Sequence, residues 1–466
     1  TRDGQPGPAY QPGMALLALF IFALDEAHWF PAAWWSNRNA LVSATCALWG
    51  FLAYLRWRED RWFPGAPLSL VGFALGLLGG ETALGVVAFL AAYELFGPNP
   101  LPLTPFRDGR NRFAVLLPLG LLGLVYIVYY KWAGYGAKFS AIYVDPTASP
   151  LEFLSLLPVR MSMLIAQQFF GMPGEVSAFT PLLYLPMFLI ALLLTAVVVA
   201  AIRYAWSSLD AADRTALRWL LAGGIISMIP VCATFPAGRL LLAPSIGGAA
   251  AIALVIRAGW KQAGAPRPMR ILAAVFVGLH LVLAPLMWPL QTAFIRTMAG
   301  KFERAIDSMA IAPAADRDRE VVLLTSGDPL VGCYAPIIRA FHDKALPDSA
   351  RTLSMAAYDI RVTRLHPNTL QIEVVNGQLL TSLFEQLLRG KNEPLRPGDA
   401  VLLNGMRVTV NETGDKGPTR FTVDWDHDIE TPRTAFLAWD GTGLNRVALP
   451  PVGGTLVIPH KKAVLQ

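Results

Sequence analysis

Five basic residues lie where an apolar chain has no topogenic use for them: Arg38, Lys131, Lys138, Arg160 and Arg239. Carboxylates accompany them. Asp25 and Glu26 close the first apolar run, Glu81 sits in a Gly-Gly-Glu turn, and Asp145 and Glu152 occupy a long loop. The planar guanidinium fork suits phosphate, and a carboxylate in reach of a hydroxyl can take its proton as general base. If the two sets converge, they make a phosphate-binding site with a proton acceptor beside it. Taken singly, each basic residue also reads as a snorkelling anchor or a simple ion pair. Glu81 also reads as a carboxylate stabilised by the dipole of the helix that follows it.

The elements that would position these residues are apolar helices. Of 466 residues, 54% are hydrophobic and 15% charged, against about 25% charged in an average soluble domain. Residues 1–300 hold 20 Lys/Arg and 13 Asp/Glu, and residues 301–466 hold 19 and 20. The apolar excess and the net charge of +6 therefore belong to the first part. This basicity reads as topogenic arginine, with no nucleic-acid partner implied. A spanning helix needs roughly 20 apolar residues. Candidates fall at 14–30, 39–55, 66–79, 82–97, 113–131, 180–202, 217–235, 238–257 and 270–290, which gives eight or nine spans as 66–97 is one helix or two. The stretch 151–171, interrupted by Pro158 and Arg160, reads as an interfacial helix. With two helices in 66–97, 13 of the 20 basic residues fall on one face, in Arg56/Arg58/Arg61, Arg107/Arg110/Arg112, Arg203/Arg214/Arg218 and Arg257/Lys261/Arg267/Arg270. The positive-inside rule makes that face cytoplasmic. The carboxylates and stray basic residues of the opening, and everything after 290, then lie outside.

The stretch from Phe22 to Asn39, with His28, Trp34 and Arg38, resembles a loop of the GT-C membrane glycosyltransferases, closest to the branch of protein O-mannosyltransferase-like and tetratricopeptide-repeat-associated forms. Gly80-Glu81-Thr82-Ala83 is similar to that family's Lys-Glu-Thr-Ala turn, with Gly in place of Lys. Pro236 to Gly247, with Arg239, is similar to its late Glu-Arg segment, with Gly238 where Glu is common. The resemblance covers about residues 10–290 and rests on the order of the motifs. It implies transfer of a sugar from a polyprenyl-phosphate carrier to a glycan or protein acceptor, with inversion, on the extracytoplasmic side of a bacterial inner membrane. Asp25, Glu26 and Glu81 would be its catalytic carboxylates. Arg38, Arg160, Arg239 and Lys131 would bind the lipid phosphate, and His28 and Trp34 the acceptor or sugar. A divalent cation, Mg or Mn, is compatible with such a site; no metal ligands are assigned. The loop around Asp25 matches the family's second outer loop. The first helices and their Asp would then be missing, and the chain would be a truncated or inactive relative. The opening at Thr1 reads the same way, as a fragment, with no signal peptide in its polar first 13 residues.

Three units follow: a polytopic GT-C-like domain over 1–290, a helical connector over 291–318, and an external β-rich domain over 319–466. In the last, Glu320–Leu324 reads as a buried strand and 334–345 as a helix. Short runs at 352–365, 369–375, 400–403, 406–411, 419–425, 434–439 and 455–459 are separated by turns such as Asn376-Gly377 and Asn404-Gly405. This pattern predicts a small β-sandwich or barrel with a helix or two. The alternation Asp424/Asp426/Asp428 would put three carboxylates on one strand face, either as a cation site or as a solvated edge. Cys46, Cys232 and Cys333 suggest neither a disulfide framework nor a metal spacing. No P-loop, dinucleotide fingerprint or nucleophile triad occurs. Two other functions compete with the transferase: a non-enzymatic membrane scaffold or receptor whose β-domain binds a partner, and a transporter. The transporter is the weakest, because transporters place their charges at the bilayer midplane.

Overall fold

The structure, a computed structural model, describes residues 12–98, 110–136, 139–262, 264–390 and 393–462. Arg107 and Lys138 lie outside the described residues. The chain divides into two compact units, Thr1–Gly136 with Val144–Ala293, and Ala137–Tyr143 with Phe294–Gln466.

The first unit is helical: α1 (Pro12–Leu24), α2 (Trp29–Ala33), α3 (Arg38–Asp60), α4 (Gly65–Gly79), α5 (Thr82–Phe96), α6 (Arg110–Trp132), α7 (Pro150–Phe170), α8 (Val176–Phe179), α9 (Tyr184–Trp206), α10 (Ala211–Val231), α11 (Ser245–Lys261) and α12 (Arg267–Val277). A π-helical turn, Gly278–Leu283, joins α12 to α13 (Ala284–Asp307). Five helical segments among the described residues are long and apolar enough to cross a membrane: Arg38–Asp60, Val115–Trp132, Pro150–Phe170, Pro181–Trp206 and Arg267–Asp307. A sixth is added if α1 and the bent segment Glu26–Ala33, at 42°, form one span. Large apolar side chains face outward on these helices, as with Trp49 and Leu193. A surface of that kind suits lipid better than water.

Small residues set the helix spacing. A Cβ on Gly72 of α4 would stand 2.5 Å from the Gly50 Cα of α3, so the two backbones touch. The sequence 66–97 forms two helices, because Gly80 takes φ +148 and breaks the run. Ser43 of α3 stitches this turn, donating to the Gly80 carbonyl at 2.8 Å and accepting from the Ala83 amide at 3.0 Å. The stretch 151–171, expected as an interfacial helix, forms α7, one of the five segments long and apolar enough to cross a membrane. Pro158 removes one N–H without ending α7. The second half of α7 packs along α9, where Met163 and Ala166 meet Met187 and Ala191.

One end of this bundle carries paired charge. Arg58 at the end of α3 grips Glu94 at the end of α5 with two bonds of 2.8 and 3.0 Å, and the Tyr54 hydroxyl donates to the same carboxylate at 2.7 Å. Both partners of the pair are buried. Nearby, Tyr93 packs on Trp219 of α10, and Arg257 of α11 reaches Asp213 of α10 at 3.2 Å.

The second unit is a layered sandwich. A four-stranded sheet, in the order β2–β1–β8–β9, is built from β1 (Glu320–Thr325), β2 (Ser349–Thr352), β8 (Thr434–Trp439) and β9 (Leu444–Arg446). A six-stranded antiparallel sheet, β10–β3–β4–β7–β6–β5, takes β3 (Ile360–His366), β4 (Thr369–Val374), β5 (Ala400–Leu403), β6 (Met406–Thr413), β7 (Pro418–Trp425) and β10 (Thr455–Ile458). Two helices complete the unit, α14 (Pro329–Phe341) and α15 (Leu383–Leu388). Val322 and Leu324 of β1 meet Ile360, Val362 and Ile372 between the sheets. Val321 and Leu323, alternating with them, pack on Phe302 and Ile306 of α13 and Val331 of α14. The first sheet pairs β1 in parallel with β2 and β8. With α14 between β1 and β2 it is an α/β layer within the expected β-rich unit. The run 352–365 is interrupted, with β2 ending at Thr352 and β3 starting at Ile360.

Two outcomes are expected. Glu94→Leu leaves Arg58 buried without its counter-charge and costs about 3–5 kcal/mol. The pair Arg58→Met/Glu94→Leu recovers most of that loss, read by thermal unfolding in detergent. In the turn after β8, the Thr442 hydroxyl and amide, with Gly443 and Asn445, hold the Asp440 carboxyl down to about 2. A depressed carboxylate stabilises above its unfolded value, about 3.9, and that contribution fades as pH falls through the folded value. Hydrogen-exchange protection of Thr434–Arg446, corrected for intrinsic rate, should drop between about pH 4 and pH 2. In Asp440→Ala it should be low at neutral pH and flat across that window.

Candidate functional site

The polar residues that end α1 fold inward. Asp25 interrupts the apolar run, and its Oδ1 accepts from the Ala27 amide at 2.9 Å, capping a 3-10 turn over Glu26–His28. Its Oδ2 accepts from the Gln168 amide of α7 at 2.8 Å, and Asp25 is only 4% exposed. The turn then aims its neighbours at separate helices. Glu26 Oε1 accepts from Gln291 of α13 at 2.9 Å. His28 Nε2 meets the Ser245 hydroxyl at the start of α11 at 3.0 Å and is buried against Phe22. Trp34 ends α2 and stacks on Phe30 at 5.6 Å.

Residues not singled out from the sequence complete the group. Glu175, just before α8, accepts from the Gly238 amide at 2.6 Å and from Gln167 at 3.2 Å. His280, in the π-helical turn, is buried with Nε2 3.2 Å from the Phe169 carbonyl. π turns of this kind recur at functional sites. Thus α1, α7, α11, α13, the π-helical turn and the loops before α8 and α11 supply a set of polar side chains, of which Asp25, His28, Gln168, Ser245 and His280 are buried and the rest half-buried. Asp25, Glu26 and His28 belong to it, joined by Gln167, Gln168, Glu175, Ser245, His280 and Gln291.

The other expected residues are placed separately. Glu81 stands exposed at the N-cap position of α5 and makes no capping bond. Arg38 is the exposed first residue of α3, next to Asn39, which lies beside Gly80 in the turn that carries Glu81. Arg160 is half-buried and donates to the Cys232 carbonyl at 2.8 Å. Arg239 is half-buried in a 3-10 turn, Gly238–Leu241, immediately after the amide that holds Glu175. Lys131 and Asp145 form an exposed ion pair. Partial burial alone would raise the Asp145 carboxyl, but Lys131 and Thr147 outweigh it and hold it down to about 2. Among the described residues, no ion pair or hydrogen bond joins Glu81, Arg160 and Arg239 to one another.

The acidic run of the second unit is not one strand face. β7 ends at Trp425, so Asp426 and Asp428 lie past the strand. Asp424 accepts from Thr369, Asp426 meets His427, and Asp428 approaches Arg364. Among the described residues, no three His, Cys, Asp or Glu side chains gather as metal ligands. No family model, curated protein or solved structure matches the chain.

Asp25→Leu removes a cap and strands the Gln168 amide, so it should cost about 1–3 kcal/mol. Asp25→Asn, which keeps an accepting oxygen, should cost clearly less. Lys131→Ala, at an exposed pair, should cost under about 1 kcal/mol. Thermal unfolding of the three variants in one detergent checks the order.

Proposed function

We propose that the chain is a multi-pass membrane glycosyltransferase of the GT-C kind, moving a sugar from a polyprenyl-phosphate donor to a hydroxyl acceptor on the extracytoplasmic side. The observation that carries this reading is the gathering of Asp25, Glu26 and Glu175 at one end of an apolar helix bundle. The paired arginines Arg58 and Arg257 occupy the opposite end. In this reading the shorter apolar helices span together with the five long ones, giving eight or nine spans. The arginine end faces the cytoplasm, and the β-rich unit lies in the periplasm of an inner membrane.

The chemistry is a displacement. The acceptor oxygen bonds to the anomeric carbon as the bond from that carbon to the phosphate oxygen breaks. Glu26 takes the hydroxyl proton, and the lipid phosphate leaves as an anion. Asp25, whose two oxygens are both engaged, positions the turn that carries Glu26. Arg239, one residue from the Gly238 amide that holds Glu175, supplies positive charge toward the leaving phosphate. Arg160 and Arg38 would hold the carrier further out. The competing reading, a non-enzymatic membrane scaffold or receptor, draws support from Lys131 and Arg160, which are tied to Asp145 and the Cys232 carbonyl.

Purified full chain incubated with a polyprenyl-phosphate sugar and a hydroxyl acceptor should release polyprenyl phosphate. Glu26→Gln should lower the rate by about 10²- to 10⁴-fold, the span of a lost general base. Arg239→Ala should lower it as well. Full turnover in Arg239→Ala removes that residue from the mechanism, and no release by the unaltered chain favours the scaffold.

A further inference from the structure

The short helix α12 has two unlike faces. Met269, Ala273 and Phe276 are buried, and a Cβ on Gly259 of α11 would stand 2.5 Å from the Ala273 Cβ, so this face is pressed on α11. Arg267, Ile271 and Val275 recur every four residues and share another face, with Pro268 and Leu272 beside them. Together with Val197 of α9 and Phe170 at the end of α7, these residues line a groove of about 380 Å³. From Arg267 to Val275 it follows α12 for about 12 Å, at 1.5 Å per residue. Phe170 stands against Phe276, toward the end of α12 away from Arg267. The lining is hydrocarbon except for the one guanidinium.

Arg267 has basic company. Lys261, Arg267 and Arg270 fall within ten residues that hold no Asp or Glu. All three are exposed, and none makes an ion pair or side-chain hydrogen bond among the described residues. Arg257, one turn before Lys261 on α11, is instead held by Asp213 at 3.2 Å. The turn between α11 and α12 therefore carries positive charge that no carboxylate balances.

An apolar trough with a cation at one end complements an amphiphile with an anionic head. The walls offer water no hydrogen-bond partner, and in a bilayer they face acyl chains. A guanidinium fork takes two oxygens of a phosphate at once. Basic recesses between membrane helices bind acidic lipid head groups in this way.

We infer that the groove between α7, α9 and α12 holds one acyl chain of an acidic phospholipid, with its phosphate on Arg267. Lys261 and Arg270 add positive charge around the head group. The inference needs the helical unit to lie in a bilayer. It is independent of the transferase reading, whose residues Asp25, Glu26 and Arg239 line no part of this groove.

The test titrates the full chain in detergent with palmitoyl-oleoyl phosphatidylglycerol and with the phosphatidylcholine of the same chains, read by native mass spectrometry. One phosphatidylglycerol should bind per chain, saturably and more tightly than phosphatidylcholine. Arg267→Gln should weaken it about tenfold, the worth of a hydrogen bond to a charged group, and leave phosphatidylcholine unchanged. Ile271→Trp, at an exposed position, fills the groove and should weaken both lipids. Arg56→Gln removes an exposed arginine near the end of α3, off the groove, and should change neither. Melting temperatures in lipid-free detergent should match across the chains; if Ile271→Trp melts early, Arg267→Gln against Arg56→Gln decides. Equal affinity for the two lipids overturns the site, as does binding that Arg267→Gln leaves intact. An equal loss in Arg56→Gln reduces the effect to surface charge and overturns it too. So does displacement of phosphatidylglycerol by inorganic phosphate, which leaves the acyl chain no part.

Discussion

A carboxylate carried into a bundle of apolar helices must be met by a donor, and the helical unit is organised around one such meeting. Gln168 reaches Asp25 at 2.8 Å. Without it, burying the carboxylate would cost several kcal/mol. With it, α1 ends where α7 requires it to end. The 3-10 turn that Asp25 caps then fixes the directions of its neighbours, sending Glu26 to Gln291 and His28 to Ser245. One hydrogen bond between distant segments thereby ties α1, α7, α11 and α13 around a common polar interior. The π-helical turn with His280 closes the same region, because its wider coil carries the imidazole to the Phe169 carbonyl.

The two ends of the bundle handle charge differently. At one, Glu94 receives Arg58 and the Tyr54 hydroxyl, and Asp213 receives Arg257. Charges there are matched by opposite charges. At the other, Asp25, Glu26 and Glu175 are matched by neutral amides. Amides satisfy the geometry of a carboxylate without cancelling its charge. A structural pair needs only to be neutralised, whereas a group that handles protons or ligands must keep its charge or its lone pairs in use. This contrast sets the amide-lined end apart from the ion-paired one.

Much of the layout was legible because it is local. Apolar runs bounded by Gly, Pro and charge located the helices, closely at 66–79, 82–97 and 113–131 and less so at 14–30 and 238–257, where α1 ends at Leu24 and α11 starts at Ser245; turn pairs such as Asn404-Gly405 separated strands that the structure also separates. Asp25, Glu26 and His28 drew notice as polar residues at the end of an apolar run, and they fall in one capped 3-10 turn. Their partners carried no such signal. Gln167 and Gln168 are two amides inside a helix, and the bond from Gln291 to Glu26 spans 265 residues. Neither periodicity nor spacing encodes a meeting over that distance. Arg160 stood out for the same reason as Asp25, yet its guanidinium answers a helix-end carbonyl at Cys232, a role any long donor could fill. The Asp424/Asp426/Asp428 alternation misled because it runs past the end of its strand, where face no longer follows parity.

Two adjacent carboxylates are tied to different parts of the bundle. Asp25 spends one oxygen on Ala27 and the other on Gln168, and it is nearly sealed from solvent. Its oxygens thus tie the turn to α7. Glu26 spends Oε1 on Gln291 and is half-buried. Its Oε2 faces Gly171, where the chain carries no side chain and takes a left-handed φ of +67. A larger residue there would pay in backbone strain as well as in space. Gly171 thus lies against the Oε2 side of Glu26, with an added Cβ at ordinary contact distance, while Asp25 caps the turn that carries Glu26. The two carboxylates stand next to each other in the chain, Asp25 accepting at the start of the 3-10 turn and Glu26 reaching α13 from within it.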